Sequence, residues 1–216
     1  MSKAQANSKR TEEIIEESLK QGVPYANYRS LVSQLVEEGK TTGTAQSEAL
    51  IEYTKLNDRR MKRFDKTVKI DEKVADDISN INQKITWLVL TESWCGDAAP
   101  SIPVMNKIAE LNENIDLRIV LRDKHLDLMN RFLFNGTLSI PRLIMIDTET
   151  NKAIGDWGPR PRPAAMLVAD HKAKHGKLLP EIKEEIQVWY NKDKGQTIIE
   201  ELTGLLLKNV SNSTLL

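Results

Sequence analysis

The chain has 216 residues, 40% of them hydrophobic, enough for one substantial domain with an extension. Its 31 basic and 31 acidic side chains balance to a formal charge of zero, which argues against a nucleic-acid binder, a class that carries a cationic excess. No run of about 18 apolar residues occurs, so no membrane span is expected, and one cysteine excludes an internal disulfide.

Residues 1–10 are polar and expected to be disordered, with no apolar signal segment behind them, so the expected location is cytoplasmic. An acid-rich helix is predicted from Thr11 to Lys20, broken by Gly22-Val23-Pro24. Tyr25, Tyr28, Val32, Leu35 and Val36 then recur at helical spacing up to Gly39, and this stripe reads as core or a docking face. Thr41-Thr42-Gly43 reads as a turn and Thr44 as the cap of a helix with Leu50, Tyr53, Met61 and Phe64 on one face. Residues 1–69 thus form a helical extension without a chemical signature, a packing layer.

From Asp71 the pattern changes. A short helix is predicted through Val74 and Ile78, then a buried strand from Ile85 to Leu90. Trp94-Cys95-Gly96-Asp97 follows, opening a helix toward Leu111. Ile115 to Leu121 reads as a second strand, and Leu126 to Phe134 as a helix ending at Asn135-Gly136. Leu143–Ile146 and Lys152–Trp157 read as strands joined by a turn. Helices are predicted after Pro163 to Gly176, from Pro180 to Tyr190, and from Gln196 to Leu207. Strands alternating with helices, then a hairpin, predict an α/β fold with a central mixed sheet flanked by helices over 70–192, and a C-terminal helix and tail over 193–216.

The feature closest to chemistry is a strand, then Trp94-Cys95-Gly96, then a helix. Unpaired N–H groups and the dipole at a helix start stabilise a thiolate, and the thiolate is the nucleophile. On composition alone a lone cysteine is more often an inert small hydrophobe.

Three separated features occur in order: Leu88-Val89-Leu90 leading into Trp94-Cys95, Pro103 eight residues after the cysteine, and Ser139-Ile140-Pro141-Arg142-Leu143 before a strand. In these the chain resembles the thioredoxins over roughly 70–192. The resemblance implies a thioredoxin-like fold with Cys95 as the attacking thiol and Ile140-Pro141 as a cis-proline loop opposite it. Trp94, Gly96, Asp97, Ile140 and Pro141 would then line the substrate groove, with the Ile140 backbone available to an extended substrate.

Two departures bear on function. The family's second cysteine is replaced by Ala98, and its buried strand carboxylate by Val89. A self-contained dithiol cycle is therefore unavailable. The favoured reading is monothiol exchange, in which Cys95 acts on a protein disulfide or a low-molecular-weight thiol and an external thiol resolves the adduct. The other is a redox-silent binding or scaffold protein that uses the groove beside the proline loop. Neither calls for a cofactor.

Asp97 and Glu92 would raise the thiol pKa by like-charge repulsion. Arg142 reads as a solvated side chain at a strand start. His171 and His175 suit a helix C-terminus better than a metal site. The stretch Trp157-Gly158-Pro159-Arg160-Pro161-Arg162-Pro163 reads as a stiff connection with solvated arginines, its alternative being an anion contact for the carboxylate of a small thiol. Ser93 and Ser101 have no histidine placed by sequence to activate them.

Overall fold

The computed structural model describes residues 9–213, with side chains through Val210. Most of the polar start, residues 1–8, and the last three residues of the expected tail lie outside the described residues.

The centre is β2, Ile85–Thr91, every residue of which is buried. A strand covered on both faces needs an unbroken apolar run rather than alternation, and ITWLVLT supplies one. It lies parallel to β3, Ile115–Leu121, with Ile85 opposite Ile115, and antiparallel to β4, Arg142–Asp147, with Leu90 opposite Arg142. The hairpin partner β5, Lys152–Trp157, pairs antiparallel with β4. A two-residue strand β1, Val23–Pro24, closes the far edge against β3, so the order is β1-β3-β2-β4-β5. The sequence reads Val23-Pro24 as a break; an edge position accepts proline because its missing N–H is not needed there.

In chain order the helices are α1 (Thr11–Leu19), α2 (Tyr25–Glu37), α3 (Glu48–Thr67), α4 (Glu72–Ser79), α5 (Ala98–Ala109), α6 (Leu126–Arg131), α7 (Arg162–His175), α8 (Pro180–Asp193) and α9 (Gln196–Ser213). α5 packs on β3, α3 and α9, and α9 also packs on β5. Ile15, Tyr28, Val32 and Phe64 from the first three helices join the same buried cluster as Trp87, Leu88 and Ile144 of the sheet. Among the described residues no helix is long and apolar enough to cross a membrane.

Two boundaries differ from expectation. Helix α3 is capped by Ser47, whose Oγ accepts from Leu50 N at 3.4 Å, and not by Thr44. Helix α6 stops at Arg131, because Phe134 and Thr137 pair across a turn in which Asn135 and Gly136 take left-handed φ of 48° and 73°.

Candidate functional site

Glu92-Ser93-Trp94-Cys95-Gly96-Asp97 carries the chain from the end of β2 into α5. Its path is fixed from α3 and the preceding turn. Ser93 N donates to Thr42 Oγ1 at 2.8 Å, Thr42 N donates to Ser93 Oγ at 3.0 Å, and Asn57 Nδ2 donates to Ser93 O at 2.9 Å. The hydroxyls of Thr41 and Thr54 also meet Ser93 Oγ, at 3.0 and 2.9 Å. Ser93 is thereby an anchor, and Ser101 likewise donates to the Asp97 carbonyl at 2.7 Å. Trp94 lies under the Arg122 guanidinium, 5.0 Å from the ring centroid.

Cys95 is 6% exposed, and its Sγ donates to the Ile140 carbonyl at 3.2 Å. The Ile140–Pro141 and Gly158–Pro159 peptide bonds are both cis. Burial first, then the Asp97 carboxylate, pushes the Cys95 thiol up to about 12. The backbone N–H groups of Ala98 and Asp97, and Arg160, act in the opposite sense. They do not outweigh the burial.

Asp97 is itself enclosed. Its Oδ2 pairs with Arg160 Nη2 at 2.7 Å, and its Oδ1 accepts from Tyr190 OH at 3.1 Å. Burial raises its pKa, against the pull of Arg160. Arg160 is thus not the solvated arginine expected in a stiff connection. Arg162 is exposed, and its backbone N–H donates to Glu201 Oε1 at 2.6 Å. Glu92 points elsewhere: Oε1 accepts from Asp123 N at 2.9 Å, and burial raises its pKa.

Arg142 also departs from expectation, being buried rather than solvated. Its Nε and Nη1 donate to Phe132 O at 3.0 Å and Gly158 O at 2.9 Å, and Nη2 pairs with Asp156. These bonds join the Ile140-Pro141 loop to the 158–160 loop. The two loops also touch at Gly158, whose φ is 114° and where a Cβ would stand 2.2 Å from Pro141 O. His171 and His175 stack with ring centroids 4.5 Å apart, and His171 Nε2 accepts from Leu179 N at 3.2 Å. Among the described residues no group of three or more His, Cys, Asp or Glu could hold a metal.

A cleft of about 450 Å³ opens over the sulfur. Trp94, Cys95, Gly96, Asp97 and Ile140 line it, whereas Pro141 is buried and does not. Sequence reasoning did not anticipate Tyr53 and Arg60 from α3, Arg122, or Lys183 and Gln187 from α8, all of which line it too. Gln187 Nε2 donates to the Gly96 carbonyl at 3.2 Å, which fastens α8 over the Cys95 turn. Arg60 sits in the basic run Arg59-Arg60-Met61-Lys62-Arg63, and nothing local marks it as the member turned to the cleft.

Comparisons with known proteins place this arrangement. No curated protein matches the sequence. A crystal structure of a protein of unknown function from Pseudomonas aeruginosa is similar, with a TM-score of 0.61 at 16% identity, over 88% of this chain and 95% of that one. An HIV epitope-scaffold is also similar, with a TM-score of 0.53 at 16% identity, over 85% and 98% of the two chains. At that identity the likeness is one of fold alone. A family model described as Thioredoxin matches residues 43–174, which hold the Cys95 turn, α5 and the Ile140-Pro141 loop. With more than half of its length matched, the chain belongs to the thioredoxin family.

Proposed function

We propose that this thioredoxin-family protein is a binding module, whose cleft takes a small ligand beside a Cys95 that stays a neutral thiol. The state of that sulfur carries the reading. It is enclosed, it donates to the Ile140 carbonyl, and burial with Asp97 pushes its pKa up to about 12. Exchange requires a thiolate, and burial and the Asp97 carboxylate both hold this sulfur in its neutral thiol form at neutral pH. Ala98 stands where a resolving cysteine would be needed, and a cleft of about 450 Å³ is the size of small-molecule sites. A single unpaired thiol fits a reducing compartment, and cytoplasmic location belongs to the same proposal.

Monothiol exchange is the second reading, favoured by the Asp97 and Ala98 N–H groups directed at the sulfur. In that cycle the Cys95 thiolate attacks a protein disulfide or the disulfide of a small thiol. One thiolate leaves, a mixed disulfide remains, and an external thiol cleaves it to restore Cys95.

Catalysed reduction of a small disulfide by dithiothreitol separates the two, with wild type and Cys95→Ser compared at equal concentration. The binding reading predicts equal rates. A wild-type rate about tenfold above the variant, the scale of about 1.4 kcal/mol in the barrier, would overturn it in favour of exchange.

A further inference from the structure

The charges around the cleft do not balance. Arg60, Arg122, Arg160 and Lys183 line it against one carboxylate, Asp97. Asp97 is taken by Arg160, and Arg122 pairs with Asp123 at 2.8 Å. That leaves Arg60 and Lys183 without a carboxylate in ion-pair reach among the described residues. Arg60 Nη1 donates to the neutral amide oxygen of Asn57 at 3.0 Å, and Lys183 Nζ donates to Tyr53 OH at 3.1 Å.

Arg60 is the less comfortable of the two. It is half-buried, and burial with Arg63 nearby lowers its pKa. Its Nη1 lies 3.8 Å from where a side chain on Gly96 would begin, which sets it beside the Cys95 turn. The Asp97 carboxylate pulls on Arg60 only from beyond ion-pair distance, so the half-buried guanidinium is incompletely compensated, and an incoming oxyanion relieves that cost. Its planar fork suits a carboxylate or phosphate group. Lys183 is steadied over the Tyr53 ring, 5.2 Å from the centroid, so its charge is held at the cleft wall. Leu50, Trp94 and Ile186 supply apolar wall.

We propose that the cleft binds a small organic anion, its carboxylate or phosphate held by Arg60 and Lys183 and its apolar body against Leu50, Trp94 and Ile186. The inference rests on reading the cleft as a ligand site and adds the chemical class of the ligand. Any small metabolite with one compact oxyanion and an apolar body meets this description.

The test uses three probes of similar shape titrated into the full chain: hydrocinnamate, phenylpropyl phosphate and the neutral hydrocinnamamide. The Trp94 indole and Gly96 amide NMR signals report binding at this site. At least one anion is expected to bind about tenfold more tightly than the amide, the scale of one charge-assisted contact. Added salt should shrink that ratio, and the tighter of the two anions identifies the favoured oxyanion. Arg60→Gln and Lys183→Gln should each lose most of the preference. Lys183 is exposed, so its replacement keeps the fold even if loss of the Arg60–Asn57 contact loosens α3.

Equal binding of anions and amide would overturn the inference, as would variants that keep the ratio or probes that leave both signals unmoved. Failure of the parent reading looks different. Disulfide turnover through Cys95 would sink the idle-thiol account and leave the anion preference standing.

Discussion

Two carboxylates flank Cys95 in the chain, and their environments divide their roles. Asp97 is half-buried with Arg160 and Tyr190 as partners and acts on the sulfur, as its place two residues on suggested. Glu92 is the more deeply enclosed and turns to the Asp123 N–H; burial, helped by the Asp123 carboxylate, raises its pKa against the pull of Thr42 and that N–H. A carboxylate whose folded pKa is raised contributes stability that is full below its ordinary value of 4.5, and that is lost as pH climbs through the folded value. Glu92→Gln keeps an oxygen for Asp123 N and removes the charge. Its midpoint for urea unfolding, relative to wild type, should therefore rise from below pH 4.5 toward neutral pH. A difference that stays flat or falls over that window would contradict the burial account of Glu92.

Elements with a strong period were legible in the sequence, and the contacts between them were not. The unbroken apolar run of β2, the span of β3 and the start of α5 after Asp97 all follow from local pattern. Thr44 and Ser47 are both cap-forming types, serine the stronger. Ser47 takes the role because Thr41 and Thr42 are drawn down onto Ser93, which moves the helix start along the chain. Arg142 reads as solvated at a strand start because its acceptors come from two other segments, Phe132 at the end of α6 and Asp156 and Gly158 where β5 runs out. That side chain fastens two loops with a planar fork that lysine cannot reproduce. Arg142→Lys should destabilise the protein by about 2 kcal/mol, the scale of lost charge-assisted hydrogen bonds in a buried setting, measured by urea unfolding. An unchanged midpoint would mean that the fork does not hold the loops together.

At the scale of the whole molecule, the cleft is assembled from segments far apart in sequence. α3 brings Arg60 and Tyr53, the Cys95 turn supplies the floor, residues 138–140 and 159–160 add loop walls, and α8 brings Lys183 and Gln187. The floor and one loop could be read beforehand, because Trp94-Cys95, Pro103 and Ile140-Pro141 carry the family's pattern. The helices at either end carry no such pattern, and their part is set by packing: α3 against α5, and the Gln187 and Tyr190 side chains onto Gly96 and Asp97. So residues 1–69, read as packing alone, both share the core and furnish a charged wall. The same closure that completes the cleft takes water from the sulfur. The most direct measurement is the rate of Cys95 alkylation by iodoacetamide in the full chain, followed by intact mass across a pH series. A neutral, enclosed thiol predicts slow modification at neutral pH and a rate still climbing well above the free-thiol value of about 8.5. Fast modification that levels off with a midpoint at or below about 8.5 would contradict the central claim.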